Sequence, residues 1–130
     1  MTKTKDELET IARVLVDAVV KVHRTLGPGL LESVYHKCLL KELHIRGVWV
    51  ESEVPVTLRY KGDVITEAYR VDLLVNNKLV VELKTVDKLT AVHKAQLPTY
   101  LRLMNKKLGL LINFNEFVVR NGIRRLINNN

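Results

Sequence analysis

The stretch from Arg70 to Lys84 constrains this chain most. Two apolar segments of strand length, residues 71–75 and 79–84, flank the pair Asn76-Asn77. So short a connection between two such runs leaves little choice but a β-hairpin. Inside it stand three charged side chains, Asp72, Glu82 and Lys84. A charge taken into an apolar sheet costs several kcal/mol unless it is paired or bound to a metal. The hairpin is therefore the first place to look for chemistry.

Its register follows from the apolar residues. A two-residue turn at Asn76-Asn77 would pair Val75 with Lys78 and send Asp72 and Glu82 to opposite faces. A three-residue loop, Asn76 to Lys78, pairs Val75 with Leu79, Leu73 with Val81 and Val71 with Leu83, which builds one continuous apolar face. Asn tolerates the left-handed backbone that this loop needs. The second register is expected, and it sets Asp72 opposite Glu82. Lys84 follows two residues along the same face, roughly 7 Å away. Two carboxylates so close raise each other's pKa unless a cation lies between them. A hard divalent cation such as Mg²⁺ answers that need, and Lys84 beside it could hold a water or stabilise charge on a phosphate. Spacing alone leaves a second reading open: Glu82–Lys84 or Asp72–Arg70 ion pairs at a sheet end, without catalysis.

The remaining chain reads as scaffold around this hairpin. A length of 130 residues suits one domain, 1–130. Residues 4–26 follow the helical period through Ile11, Val14, Leu15, Ala18, Val22 and Leu26, with a Thr4–Glu7 capping box. Gly27-Pro28-Gly29 ends that helix. A second is expected over residues 30–46, with Leu31, Val34, Cys38 and Leu43 buried, and with Glu32 one turn from Tyr35 and His36. A first-turn glutamate also suits the helix dipole, and on physics alone that is the favoured role of Glu32.

Strands are expected at 48–50 and 54–60, where Pro55 marks a strand start, an edge or a bulge. A third helix, about 89–105 with Thr90 as N-cap, carries His93, Gln96 and Tyr100 as a polar stripe, and Pro98 should kink it. Residues 108–114 form an apolar run suited to an interior strand. Residues 117–119 and 123–127 flank Asn121-Gly122 as a second hairpin.

Composition narrows the function classes. A lone cysteine, Cys38, excludes an internal disulfide and a four-cysteine metal or iron–sulfur site. Aromatics are only 5% of residues, so base stacking cannot dominate any nucleic-acid contact. No apolar run is long enough to span a bilayer and no signal peptide is visible, so a cytoplasmic protein without membrane attachment is expected. The net charge of +7 lies wholly in residues 84–130, where nine Lys/Arg face only Asp87 and Glu116. A basic half that begins at the charged hairpin suits a polyanion, with Lys88, Lys94, Arg102 and Lys106 as candidate contacts. A merely solvated basic surface is the alternative.

Taken together, these residues resemble the GxxExxY protein family of the PD-(D/E)xK nuclease superfamily. The naming motif stands as Gly29-Leu30-Leu31-Glu32-Ser33-Val34-Tyr35, and the superfamily core as Asp72 followed by Glu82-Leu83-Lys84. Gln96-Leu97-Pro98-Thr99-Tyr100 matches the Gln-x-x-x-Tyr motif of RecB-type nucleases. The resemblance implies an α/β fold with a mixed central sheet flanked by helices, in the order α-β-β-β-α-β. It implies that Asp72 and Glu82 bind Mg²⁺ or Mn²⁺, with the Leu83 carbonyl as a third protein ligand and Glu32 as a further ligand of metal or metal-bound water. Lys84 would position the attacking water, and Gln96 and Tyr100 would line the site and contact phosphate or orient Lys84. The implied activity is metal-dependent hydrolysis of phosphodiesters, most readily in DNA, with a homodimer or a partner protein as a source of selectivity. The alternative is a catalytically silent module that binds nucleic acid or a partner. The cysteines that hold iron–sulfur clusters in some RecB-like nucleases have no counterparts here.

Overall fold

The computed structural model describes residues 2–129, with side chains described from Lys5 onward. Helix α1 (Thr2–Leu26) and helix α2 (Glu32–Ile45) come first. Strands β1 (Val50–Tyr60), β2 (Asp63–Val75) and β3 (Leu79–Lys84) form an antiparallel meander. Helix α3 (Ala91–Met104) then crosses over to β4 (Leu108–Asn113), and a short 3₁₀ turn (Val119–Gly122) leads into β5 (Ile123–Ile127). The sheet order is β1-β2-β3-β4-β5, with β3 and β4 parallel and all other pairs antiparallel. This is the expected mixed sheet, and its core follows the order α-β-β-β-α-β.

Two apolar layers sandwich the sheet. On one face Leu15, Ala18 and Val22 of α1 and Tyr35, Leu39 and Leu43 of α2 pack on Leu73, Val75, Leu79, Val81 and Leu83. On the other, Leu97, Tyr100 and Leu101 of α3 pack on Val71, Leu74, Val80 and Leu111. Strand β4 is buried along its whole length, as a parallel strand covered on both faces should be. Pro55 lies in β1 opposite Arg70, on an outer strand of the sheet, the kind of strand to which proline is confined.

Three local expectations are corrected. Helix α1 begins at Thr2, so Thr4 lies inside it rather than capping it; the Thr4 side chain is outside the described residues. The buried stripe of α2 is Tyr35, Leu39 and Leu43, whereas Leu31 is 73% exposed because it precedes the helix as its N-cap. Residues 117–119 form no strand: the antiparallel partner of β5 is β4 itself. Asn121-Gly122 signals a different constraint there, since a Cβ on Gly122 would lie 2.5 Å from the Asn113 carbonyl oxygen. The glycine allows close approach of two backbones rather than a hairpin turn.

Candidate active site

The hairpin has the expected register at its loop end, with Leu73 opposite Val81 and Val75 opposite Leu79, but the expected Val71–Leu83 pair does not form, since Val71 packs on the α3 side and Leu83 on the α1–α2 side. Asn76 and Asn77 both take positive φ, 51° and 58°, and the Lys78 N–H closes the loop on the Val75 carbonyl at 3.0 Å. Backbone pairing between β2 and β3 stops after Leu73 and Val81, and side chains take over. Glu82 Oε1 accepts from the Asp72 N–H at 2.8 Å, and Asp72 Oδ2 accepts from the Leu83 N–H at 2.7 Å. Each carboxylate thus reaches across to the other strand's backbone, and the two strands part around them.

The same event rotates β2. Val75 and Leu73 face α1 and α2, while Leu74 faces α3; beyond Asp72, Val71 and Tyr69 also lie on the α3 side. Strict alternation would have put both on the other face. Opposite Asp72, Glu53 drops out of the β1–β2 ladder with φ 52°. The rotation brings the Tyr69 hydroxyl to Glu82 Oε2 at 3.1 Å and stacks its ring on Tyr100, 4.3 Å between centroids and 12° apart.

Glu32 is delivered from the opposite layer. Gly27 and Gly29 adopt φ of 72° and 97°, and Tyr35 pins the turn that they make. Its hydroxyl donates to the Gly27 carbonyl at 2.6 Å and accepts from the Leu30 N–H at 3.1 Å, while its buried ring stacks on Phe114 at 4.4 Å. The helix that starts at Glu32 is thereby aimed at the strand ends.

The electrostatics are those of carboxylates crowded out of water. Burial, and then the Asp72 charge, push Glu82 up to about 7, against hydrogen bonds from the Asp72 N–H and Tyr69 and the Lys84 charge. Burial raises Asp72, opposed by the Leu83 N–H, His36 and Lys84. Burial and Asp72 likewise raise Glu32, with Lys84 and His36 opposing. Lys84 thus acts on all three acids. Neither of the alternative ion pairs forms among the described residues: Arg70 pairs with Glu67 instead, and no ion pair holds Lys84.

A model of the PD-(D/E)XK nuclease superfamily matches residues 9–126. The chain belongs to the PD-(D/E)XK nuclease superfamily. The crystal structure of SSO0001 is similar to it, with 27% sequence identity and a TM-score of 0.52 over 75% of this chain. This chain spans half the length of that one. No curated protein matches.

Of the expected residues, this PD-(D/E)XK fold gathers Glu32, Asp72, Glu82 and Lys84 into one electrostatic cluster and sets Tyr100 beside Glu82. Gln96 lies one turn before Tyr100 on the same side of α3, half-buried. His93 leaves the expected stripe: its Nδ1 accepts from the Thr90 N–H at 3.0 Å and completes the N-cap of α3. Lys88 and Lys94 are exposed in the loop after β3 and in the first turn of α3, at the end of the sheet that carries Lys84. Arg102 is exposed in the last turn of α3. Lys106 is not brought to the site; its ammonium bonds the Asn77 carbonyl at 2.9 Å, at the far end of the hairpin.

Three residues of the neighbourhood were not singled out from sequence. Tyr69 follows from the rotation of β2, which no local pattern announces. His36 reaches Ser52 Oγ at 2.7 Å and faces Glu32 and Asp72; its position one turn after Glu32 was a usable signal. Buried Asn113 clamps the segment after Lys84, donating to the Val86 carbonyl at 2.8 Å and accepting from the Val86 N–H at 3.1 Å. A polar residue closing an otherwise apolar strand could have marked it.

The donor set suits a hard divalent cation. Oxygen ligands are available from Asp72 and Glu82, two acids whose mutual repulsion an interposed cation would relieve. The Lys84 carbonyl accepts from the N–H of Phe114, the residue after β4, so by alternation the Leu83 peptide groups face the parting with β2. Among the described residues no three His, Cys, Asp or Glu side chains form a metal cage by themselves. A cation held by two carboxylates, a carbonyl and waters does not require one.

Proposed function

We propose that this protein is a metal-dependent nuclease that hydrolyses phosphodiester bonds, in DNA by preference, and that it is the GxxExxY type of the superfamily with a RecB-like Gln96–Tyr100 motif. The observation that carries the reading is the reciprocal embrace of Asp72 and Glu82, which sinks two acids into the sheet beside Lys84. Asp72, Glu82 and the Leu83 carbonyl would hold Mg²⁺ or Mn²⁺, with Glu32 reaching the metal or its water. A cation so held supplies an acidified water and neutralises charge on the phosphate.

The chain's own groups do the rest. The backbone N–H groups of Asp72 and Leu83 fix the carboxylates before any ligand arrives, so little reorganisation is left for the reaction. Lys84 stands where its ammonium can hold an attacking water or a phosphate oxygen. Tyr35 keeps Glu32 pointed inward through the Gly27–Leu30 turn. Lys88 and Lys94 lie on the approach and would take phosphates on either side of the scissile bond. A second copy or a partner protein would supply the selectivity that so small a chain has little room for.

The test is cleavage of plasmid and single-stranded DNA with and without Mg²⁺. Metal-dependent cleavage, lost in Glu82→Ala and in Lys84→Ala with native circular dichroism, is expected. Both oxygens of Glu82 already accept hydrogen bonds inside the protein, which favours a second reading, a silent module that binds nucleic acid without cutting it. Salt-sensitive DNA binding with no cleavage in any divalent metal would establish that reading instead.

A further inference from the structure

We propose that Tyr69 is a positioning residue for Glu82, and that Tyr100 acts on the site through Tyr69, chiefly by holding its ring, rather than by touching substrate with its hydroxyl. The inference rests on the metal-binding reading of Asp72 and Glu82 and deepens it.

Glu82 has two oxygens and a short route to misplacement. Oε1 is fixed by the Asp72 N–H at 2.8 Å, but a carboxylate held at one oxygen can still swing about that point. Oε2 is fixed by the Tyr69 hydroxyl at 3.1 Å, and that second contact sets the plane of the group. Tyr69 stands at the root of the outer half of the β1–β2 hairpin. There the register shifts between Val56 and Leu58, and residues 61–68 are exposed. A tyrosine at the edge of so open a segment needs something to hold its ring. Tyr100 provides it, lying flat against Tyr69 at 4.3 Å from a helix anchored by Leu97 and Leu101, both fully buried. Stacking of this kind holds a ring more firmly than its buried area alone would. The order of support runs from the α3 core to Tyr100, then Tyr69, then Glu82.

Groups that hydrogen-bond a metal-ligating carboxylate typically change metal affinity by about 10–100-fold when removed. The relay therefore makes an unequal prediction for its two tyrosines. Tyr69→Phe keeps the ring and loses the bond to Glu82, so the Mn²⁺ dissociation constant should rise by about 10–100-fold. Tyr100→Phe keeps the stacked ring but loses the hydroxyl that interacts with Tyr69, so it should weaken Mn²⁺ binding by much less than Tyr69→Phe does. Tyr100→Ala removes the support and should weaken Mn²⁺ binding as Tyr69→Phe does.

The experiment is titration of Mn²⁺ alone into the metal-free full chain and the three variants at pH 8, by calorimetry and by loss of the free Mn²⁺ electron-spin signal. Thermal melts check the fold of each variant; should Tyr100→Ala not fold, the contrast between the two Phe variants decides. Equal weakening in Tyr69→Phe and Tyr100→Phe would overturn the relay, because the Tyr100 hydroxyl would then matter in its own right. Unchanged affinity in Tyr69→Phe would overturn it as well, while leaving the nuclease reading in place. A wild-type chain that binds no Mn²⁺ would remove both.

Discussion

Glu82 is an acid that gives up its proton near neutrality, because burial and the Asp72 charge push it up to about 7. Between the ordinary carboxylate range and that value, the folded chain holds a proton that the unfolded chain has released. Stability of the metal-free protein must therefore fall as pH rises through this window and level off above it, by at most ~3 kcal/mol from this group. Asp72 and Glu32, also raised, add in the same direction. Thermal melts in chelator from pH 5 to 8 should show a declining Tm, and Glu82→Gln should flatten the decline. Mn²⁺ should restore stability mostly above pH 7, where its ligands are deprotonated. Cleavage should rise over the same range, and Glu82→Gln should lower it by about 10²-fold or more. At this scale Asp72, Glu82 and Lys84 were legible because charges within apolar strands have few explanations. Tyr69 was not, because the rotation at Asp72 that turns it toward α3 arises only once both carboxylates have displaced the backbone pairing.

Helix α2 shows how a motif with a functional residue also carries its own mount. Gly27 and Gly29 supply the left-handed turn, Glu32 projects to the site, and Tyr35 locks the turn from below. Tyr35→Phe keeps the stack on Phe114 but leaves the Leu30 N–H and the Gly27 carbonyl without their partner. A loss of about 1–3 kcal/mol in urea unfolding is expected, with slower cleavage because Glu32 loses its aim. Gly122→Ala should cost at least as much, since its Cβ would meet a backbone oxygen that cannot move aside; the same unfolding assay checks it. The hairpin loop was legible to the residue because only one register keeps Leu73, Val81, Val75 and Leu79 on one face. The β5 pairing was not, since Asn121-Gly122 fits a tight turn equally well and only the tertiary approach of Asn113 tells them apart. The α2 stripe was misplaced because Leu31, Val34 and Cys38 also follow the helical period, and only tertiary packing shows that the neighbouring face of Tyr35, Leu39 and Leu43 is the one turned inward.

Across the whole molecule, the excess positive charge is distributed unevenly relative to the acids. Lys88 and Lys94 share the site's end of the sheet, whereas Lys106 is tied to Asn77, roughly 20 Å away along β3. Nucleic-acid binding measured in Ca²⁺ should weaken steeply with salt. Lys88→Ala and Lys94→Ala should each reduce the slope of log affinity against log salt by about 1, and Lys106→Ala should leave it unchanged. The charge asymmetry was plain in the sequence, but its direction was not, because α3 runs back along the sheet and carries part of the basic half away from the site. Order and type of the core elements were legible since their patterns differ: a helical period in α1, a short-looped pair of apolar strands in β2 and β3, an unbroken apolar run in β4.

The central claim is that Asp72 and Glu82 share a cation. Crystals of the metal-free protein soaked in Mn²⁺ at pH 8, with diffraction recorded at the manganese edge, test it most directly. The account predicts an anomalous peak within coordination distance of an oxygen from each carboxylate and of the Leu83 carbonyl. A saturating soak that leaves this position without a peak, or that places manganese only elsewhere, contradicts it.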